Sequence, residues 1–267
     1  MNTVREDRNA LIPVLRTMFQ VWDDRVAEGV RNNGVDALVV QDAHRIAHTL
    51  AVLDEQRSPR RILEIGTGYL GLAAALRRRL PEAYIAGVEY PGRRYIWTKD
   101  YQARLATERV RLVATDIVRS GIPFRSQTFD LAVFAEVIEH LSPNALPALL
   151  TEIARVITPG GGLLVTTPNL ASWVNRELLL RGDSPGQQSP DLVIDGAYGH
   201  LRLYTMDELV RLAEGAGLRV FRRTFIDQIQ LGNSRIRRLI RAMSVPAKAV
   251  WPALRDTCVL LARRQDG

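Results

Sequence analysis

Apolar residues recur at two different periods along this chain, and the switches between them mark its elements. Leu11, Val14, Leu15, Met18 and Val21-Trp22 fall at helical spacing, and Asn32-Asn33-Gly34 interrupts the run. A second helical face runs through His44, Ile46, Ala47, Leu50 and Leu53. From residue 60 to about 167, short apolar runs alternate with amphipathic stretches. Strands are expected near 61–65, 84–89, 109–114, 129–134 and 162–167, and helices near 70–80, 94–107 and 143–157. Such alternation implies a mostly parallel sheet whose right-handed crossovers place helices on both faces. Thr205-Met206-Asp207-Glu208 reads as a capping box opening a helix that ends at Gly215 or Gly217. Leu218-Arg219-Val220-Phe221 begins a strand, and Asp256 to Ala262 forms the last one.

This pattern divides the chain into an N-terminal helical cap over 1–57 and one α/β domain over 58–267. Lid insertions are expected at about 168–200 and 229–254. The first carries Gly182, Pro185, Gly186, Pro190 and Gly196 around a short helical run from Leu170 to Leu180. A connection of that length in a compact domain is usually functional. In the second, Ile236, Leu239, Ile240 and Met243 share one helical face with Arg235, Arg237, Arg238 and Arg241 around it. A basic amphipathic helix over 232–243 suits a lid packed on its own domain, or peripheral contact with an anionic membrane.

The candidate chemistry begins at Leu63-Glu64-Ile65-Gly66-Thr67-Gly68-Tyr69-Leu70-Gly71, a strand, a glycine turn and a helix start. Gly66, Gly68 and Gly71 allow a sharp turn and close approach of a ligand to the backbone. Alone, this spacing fits a nicotinamide or flavin site equally well. Glu64 narrows the choice, because an acid buried at a strand end is costly unless a cation or several donors answer it. A ligand bearing an ammonium and a sulfonium would be such an answer. Glu89 ends the next strand, about 20 residues beyond the turn, where an acid can accept from two ribose hydroxyls. Asp116 follows the third strand, where a carboxylate can accept from an exocyclic amine such as that of adenine. All three, with Glu136, fall at the carboxyl edge of the strands, where such sheets bind their ligands.

On these residues the chain resembles class I S-adenosylmethionine-dependent methyltransferases. The matching segments are Leu63 to Gly68, Val88-Glu89-Tyr90, Thr115-Asp116-Ile117, Phe129 to Leu141 and Thr158-Pro159-Gly160-Gly161-Gly162. The likeness is closest to the ubiquinone-biosynthesis-type and glycan-cluster branch of small-molecule enzymes, and covers roughly residues 60–267. Many members have a third glycine two places after the second; here Leu70 stands there and Gly71 follows. The resemblance implies a Rossmann-like, seven-stranded, mostly parallel sheet with an antiparallel last strand. It also implies an S-adenosyl-L-methionine site built from Glu64, Gly66, Thr67, Gly68, Glu89, Tyr90, Asp116, Ile117, Ala135 and Glu136. The N-terminal helices would cover the cofactor, with Gln41, His44 and His48 within reach of the pocket or simply packed.

Composition fits a cytoplasmic enzyme: 267 residues with 46% hydrophobic content can bury one large core. The N-terminal residues show no apolar signal core, and no run reaches transmembrane length. Cys258, the sole cysteine, excludes an internal disulfide or a cysteine zinc cluster and reads as a core residue. The net charge of +7 is carried almost wholly by arginine, Lys99 and Lys248 being the two lysines. The arginines fall in pairs and triplets such as Arg77-Arg78-Arg79, without aromatic interleaving, so they read as solvated faces and name no partner; a nucleic-acid partner is not expected, as no RNA-binding appendage is evident.

Methyl transfer from a sulfonium needs donor and acceptor held in line and a proton removed from the acceptor. His140, in Glu136-Val137-Ile138-Glu139-His140 after the fourth strand, is the first candidate base, and His200 the second. Positioning of the loop or of Glu136 is the alternative role for His140. The expected acceptor is a hydroxyl on a sugar, a lipid-linked glycan or a secondary metabolite. Glu136, Glu139, His140 and His200 also resemble the metal-binding set of small-RNA 3′-terminal 2′-O-methyltransferases. The same residues occur widely in the small-molecule branch, where no metal is implied, and none is assigned here. A nicotinamide-dependent oxidoreductase would share the glycine turn and Glu89 but would not need Glu64, Asp116 or the Glu136–His140 block. Nothing in the chain reads out an oligomeric state.

Overall fold

A computed structural model describes residues 2–19, 35–54, 58–185, 200–227 and 244–265. Seven strands form one mixed sheet in the order β3-β2-β1-β4-β5-β7-β6. The chain falls into two compact units, one ending at Ala132 and the other beginning at Val133.

In the first unit, α1 (Asn2–Phe19) buries Leu11, Leu15, Met18 and Phe19, the spacing of one helical face. Helix α2 (Val35–Leu53) buries Val39, Ala43, Ile46, Ala47 and Leu50. Arg16 and Asp36 pair across the two helices at 2.9 Å, an exposed contact worth at most about 1 kcal/mol. Packing of the two apolar faces therefore carries the association. The expected positions Val21, Trp22 and Asn32-Asn33-Gly34 lie outside the described residues.

Strands β1 (Arg61–Ile65), β2 (Tyr84–Glu89) and β3 (Val110–Ala114) pair in parallel. Ile62, Leu63, Ile65, Ile85, Ala86 and Val88 are buried, as strands covered on both faces require. The backbone N–H groups of Arg60 and Arg61 both donate to the Asp130 carboxylate, at 2.8 and 2.9 Å, which fixes the start of β1. Helix α3 (Gly71–Arg79) ends in the arginine triplet, and each member has its own work. Arg77 donates to the carbonyls of Pro81, Ala83, Glu108 and Arg109, Arg78 to the Ala74 carbonyl and the Glu108 carboxylate, and Arg79 pairs with Asp54. The triplet fastens the loops around it, with Arg78 and Arg79 exposed as expected and Arg77 partly buried. The single helix expected over 94–107 is divided at Thr98, which caps α4 (Lys99–Thr107) by accepting from the Tyr101 N–H.

Helix α5 is the single turn Ile117–Ser120 of the first unit; β4 (Phe129–Ala135) leads into the second, where a 3₁₀ turn at Ile138–His140 and α6 (Leu146–Val156) follow. Strand β5 (Ile157–Pro168) starts earlier than its apolar run suggests, because Thr158 to Gly161 also extend. Helix α7 (Trp173–Leu180) begins at the Ser172 cap. Both halves of the expected capping box at Thr205 and Glu208 are present in α8 (Met206–Gly215). Strand β7 (Thr257–Arg264) runs antiparallel to both β5 and β6 (Leu218–Ile226), with a register shift between Val220 and Arg222. Residues 244–250 are helical, and Lys248 within them is buried between Asp227 (2.5 Å) and Asp256 (3.4 Å). Cys258 is buried in β7, where burial and the nearby Glu136 charge push its thiol up to about 12. That thiol is a core residue, as expected. The basic stretch 232–243 and residues 186–199 of the first insertion lie outside the described residues. Among the described residues no helix is long and apolar enough to cross a membrane.

Candidate functional site

The glycine turn places a carboxylate where water does not reach. Gly66 (φ +77°) donates its N–H to the Val88 carbonyl at 2.9 Å, and Gly68 (φ +49°) has nothing within 4 Å of where a Cβ would stand. That open space over the backbone is what a ligand approaching the turn requires. Leu70 takes a left-handed conformation (φ +70°) with its side chain fully buried. The neighbouring Gly71 has a packing role: a Cβ there would lie 2.4 Å from the Tyr69 ring. Glu64, at the end of β1, is only 3% exposed, and its Oε2 has no hydrogen-bond partner. Burial holds the Glu64 carboxyl well above the usual carboxylate range; Glu89 adds to this and Arg45 offsets part of it. A buried carboxylate is stabilised by a positive charge placed beside it, so the residues fit an ammonium-bearing ligand.

Glu89 ends β2 beside it, in register with Ala114 of β3. Its Oε2 accepts from the Gly68 N–H at 2.9 Å and lies 3.5 Å from the Thr67 hydroxyl, while Oε1 accepts from the Tyr90 N–H at 2.9 Å. These donors aim the carboxylate along the rim and leave it lone pairs for further hydroxyls. Thr67 is also 2.8 Å from the Tyr101 hydroxyl, whose own proton is held tightly by burial. The Tyr90 ring lies over Gly92, where a Cβ would come within 2.4 Å of it, and is half exposed at the rim. Asp116 stands just past β3, one residue after the Thr115 N–H that donates to the Glu89 carbonyl. It caps α5 by accepting from the N–H groups of Val118 and Arg119, at 3.1 and 3.3 Å, with Ile117 the first residue of that turn. The structure thus brings Glu64, Gly66, Thr67, Gly68, Glu89, Tyr90, Asp116 and Ile117 to the carboxyl ends of three adjacent strands.

The N-terminal helices reach this turn through residues that the sequence did not single out. Tyr69 donates its hydroxyl to Asp42, Asp42 pairs with Arg45 at 3.3 Å, and the Phe19 ring lies 4.2 Å from the Tyr69 ring. Burial and the Asp42 charge hold the Tyr69 hydroxyl proton firmly. His44 and His48 pack edge to face at 4.5 Å.

In the second unit, Ala135 closes β4 and Glu136 follows in a left-handed conformation (φ +55°), its N–H donating to the Thr166 carbonyl at 2.8 Å. The Thr166 hydroxyl donates to the Glu136 carboxylate, and the Thr167 hydroxyl to the Glu139 carboxylate, at 2.8 and 2.9 Å. Successive side chains on a strand point to opposite faces, so these two threonines draw the two acids apart. Glu139 is 1% exposed. Its backbone carbonyl accepts from the N–H groups of Leu201 and Arg202, at 2.8 and 3.2 Å, and this seats His200 beside His140 with ring centroids 5.0 Å apart. Burial depresses the His200 imidazole below its ordinary value, favouring the neutral ring, and its Nδ1 has no partner. Thr166 and Thr167 gave no sequence signal, since threonine is an ordinary strand residue.

Comparison with known proteins identifies the family. A family model described as "Methyltransferase domain" matches residues 40–222. A probable S-adenosylmethionine-dependent methyltransferase of Mycolicibacterium smegmatis is 30% identical over 182 residues, covering 66% of this chain and 56% of that protein. The phthiotriol/phenolphthiotriol dimycocerosates methyltransferase of Mycobacterium leprae is 28% identical over 159 residues, covering 51% and 55%. The chain thus spans little more than half the length of either relative. Among solved structures, the methyltransferase complexed with the Trm112 activator of Haloferax volcanii superposes with a TM-score of 0.62 at 16% identity, covering 94% and 98% of the two chains, which shows a shared fold. The chain belongs to the methyltransferase-domain family.

Proposed function

We propose that the protein moves a methyl group from S-adenosylmethionine to a hydroxyl of a sugar, a lipid-linked glycan or a secondary metabolite. The observation that carries this reading is Glu64: a buried carboxyl group at a glycine turn whose Oε2 has no hydrogen-bond partner. In this reading Glu64 takes the ammonium of the donor, and the open backbone at Gly66, Thr67 and Gly68 admits its methionine part. Glu89 accepts from the ribose hydroxyls, the exposed Tyr90 ring covers the nucleoside, and Asp116 with Ile117 holds the adenine edge. The donor supplies a methyl on a positively charged sulfur that is already a good leaving group, so no covalent nucleophile is needed.

His140 and His200 assist removal of the acceptor's proton, and His140 is partly exposed. Such assistance contributes about 10²–10⁴-fold in rate. A relative named for phthiotriol and phenolphthiotriol dimycocerosates supports a lipid-linked acceptor. Calorimetric titration with S-adenosylmethionine and with NAD tests the assignment. Binding of the former without the latter is expected, and tight NAD binding alone would overturn it. Substitution His140→Ala is expected to lower turnover with little change in donor affinity; undiminished turnover would remove His140 from this role.

A further inference from the structure

We propose that Glu139, His140 and His200 form a three-ligand site for a divalent transition-metal ion. No metal was assigned from the sequence, and Glu136, the fourth residue of the set considered there, is not part of this group. One carboxylate oxygen and one nitrogen from each imidazole lie within 4.8 Å of one another. Metal–nitrogen and metal–oxygen bonds of about 2.0–2.2 Å would draw them in by roughly an ångström through small side-chain rotations. Two neutral imidazoles and one carboxylate are the donor set that suits zinc, iron(II), cobalt or manganese. Three protein ligands also leave positions open for an exogenous oxygen.

Two features single this cluster out from a chance meeting of polar groups. The Nδ1 of His200 is buried without a hydrogen-bond partner, a state that costs free energy unless something outside the chain completes it. Glu139 is held from behind, its Oε2 accepting from the Thr167 hydroxyl, while its Oε1 faces the Nε2 of His140 at 3.9 Å. Oriented ligands with an outer hydrogen-bonding layer are how proteins prepare a metal site. The backbone bonds from Leu201 and Arg202 to the Glu139 carbonyl fix the third ligand against the other two. Resting on the methyltransferase reading, the consequence is that an acceptor hydroxyl bound at an open position would lose its proton more readily, with the histidines acting as ligands.

The test uses the full chain, stripped with a chelator and titrated with cobalt(II), read by ligand-field absorption and bound-metal analysis. Donor binding is followed separately by calorimetry. One equivalent of cobalt is expected for the wild type, with at least a tenfold loss of affinity in both His200→Ala and His140→Ala. Because His140 is partly exposed, its variant remains informative if His200→Ala folds poorly. Cobalt bound at trace level by the wild type, or equally well by folded His140→Ala, would overturn the site. Loss of donor binding alongside full cobalt loading would instead overturn the methyltransferase reading and leave the metal site standing.

Discussion

Glu64 and Glu89 stand at the ends of neighbouring parallel strands, and the charge of Glu89 helps hold the buried Glu64 carboxyl in its protonated form. Desolvation is the larger cause, and Arg45 opposes both. Both acids sit at the glycine turn.

A pH dependence follows. Glu64 titrates above its ordinary value near 4.5, so in the pH range between that value and the raised one the folded protein keeps a proton that the unfolded chain has lost. Through that window the ligand-free protein loses stability as pH rises. A cationic donor favours the carboxylate, so its binding should release a proton and weaken as pH falls. Calorimetry in two buffers of different ionisation heat, across the mildly acidic range, checks this. Donor affinity independent of pH there would contradict it.

Tyr69 and Asp42 tie helix α2 to the same turn through one hydrogen bond to a charged acceptor. Such bonds contribute about 1.5–3 kcal/mol. The substitutions Tyr69→Phe and Asp42→Asn should each destabilise the protein by about that much. Their double mutant should cost less than the sum, because the pair is lost only once. Urea denaturation of the four proteins measures the coupling.

Leu70 occupies a left-handed backbone position at a cost of about 1–2 kcal/mol, which glycine would avoid. Its side chain is fully buried, and Leu→Ala truncations in cores cost about 2.7–5 kcal/mol. Burial therefore wins. Leu70→Gly should be net destabilising by about 2 kcal/mol, read from thermal or urea unfolding, and a stabilised variant would mean that strain dominates.

What the sequence disclosed was local. The turn at Gly66 and Gly68 and the acids at Glu64, Glu89 and Asp116 are fixed by strand length and glycine placement, which periodicity reports directly. The capping box at Thr205 is equally local, and it is present as expected. The rest depends on tertiary contacts. His200 meets His140 because two backbone N–H groups reach the Glu139 carbonyl, an arrangement that no spacing encodes. Thr166 and Thr167 matter through the acids they hold, and Tyr101 through Thr67. The hydrogen bonds of Arg77 were not legible because its carbonyl partners come from two loops brought together only by folding.

The central claim is that Glu64 is reserved for a positively charged adenosyl donor. Calorimetric titration of wild type and Glu64→Gln with S-adenosylmethionine at neutral pH addresses it most directly. The variant should fold with at least the wild-type Tm and bind the donor about 10- to 100-fold more weakly, the loss of one charge-assisted bond. Equal affinity in a folded Glu64→Gln protein would contradict the assignment.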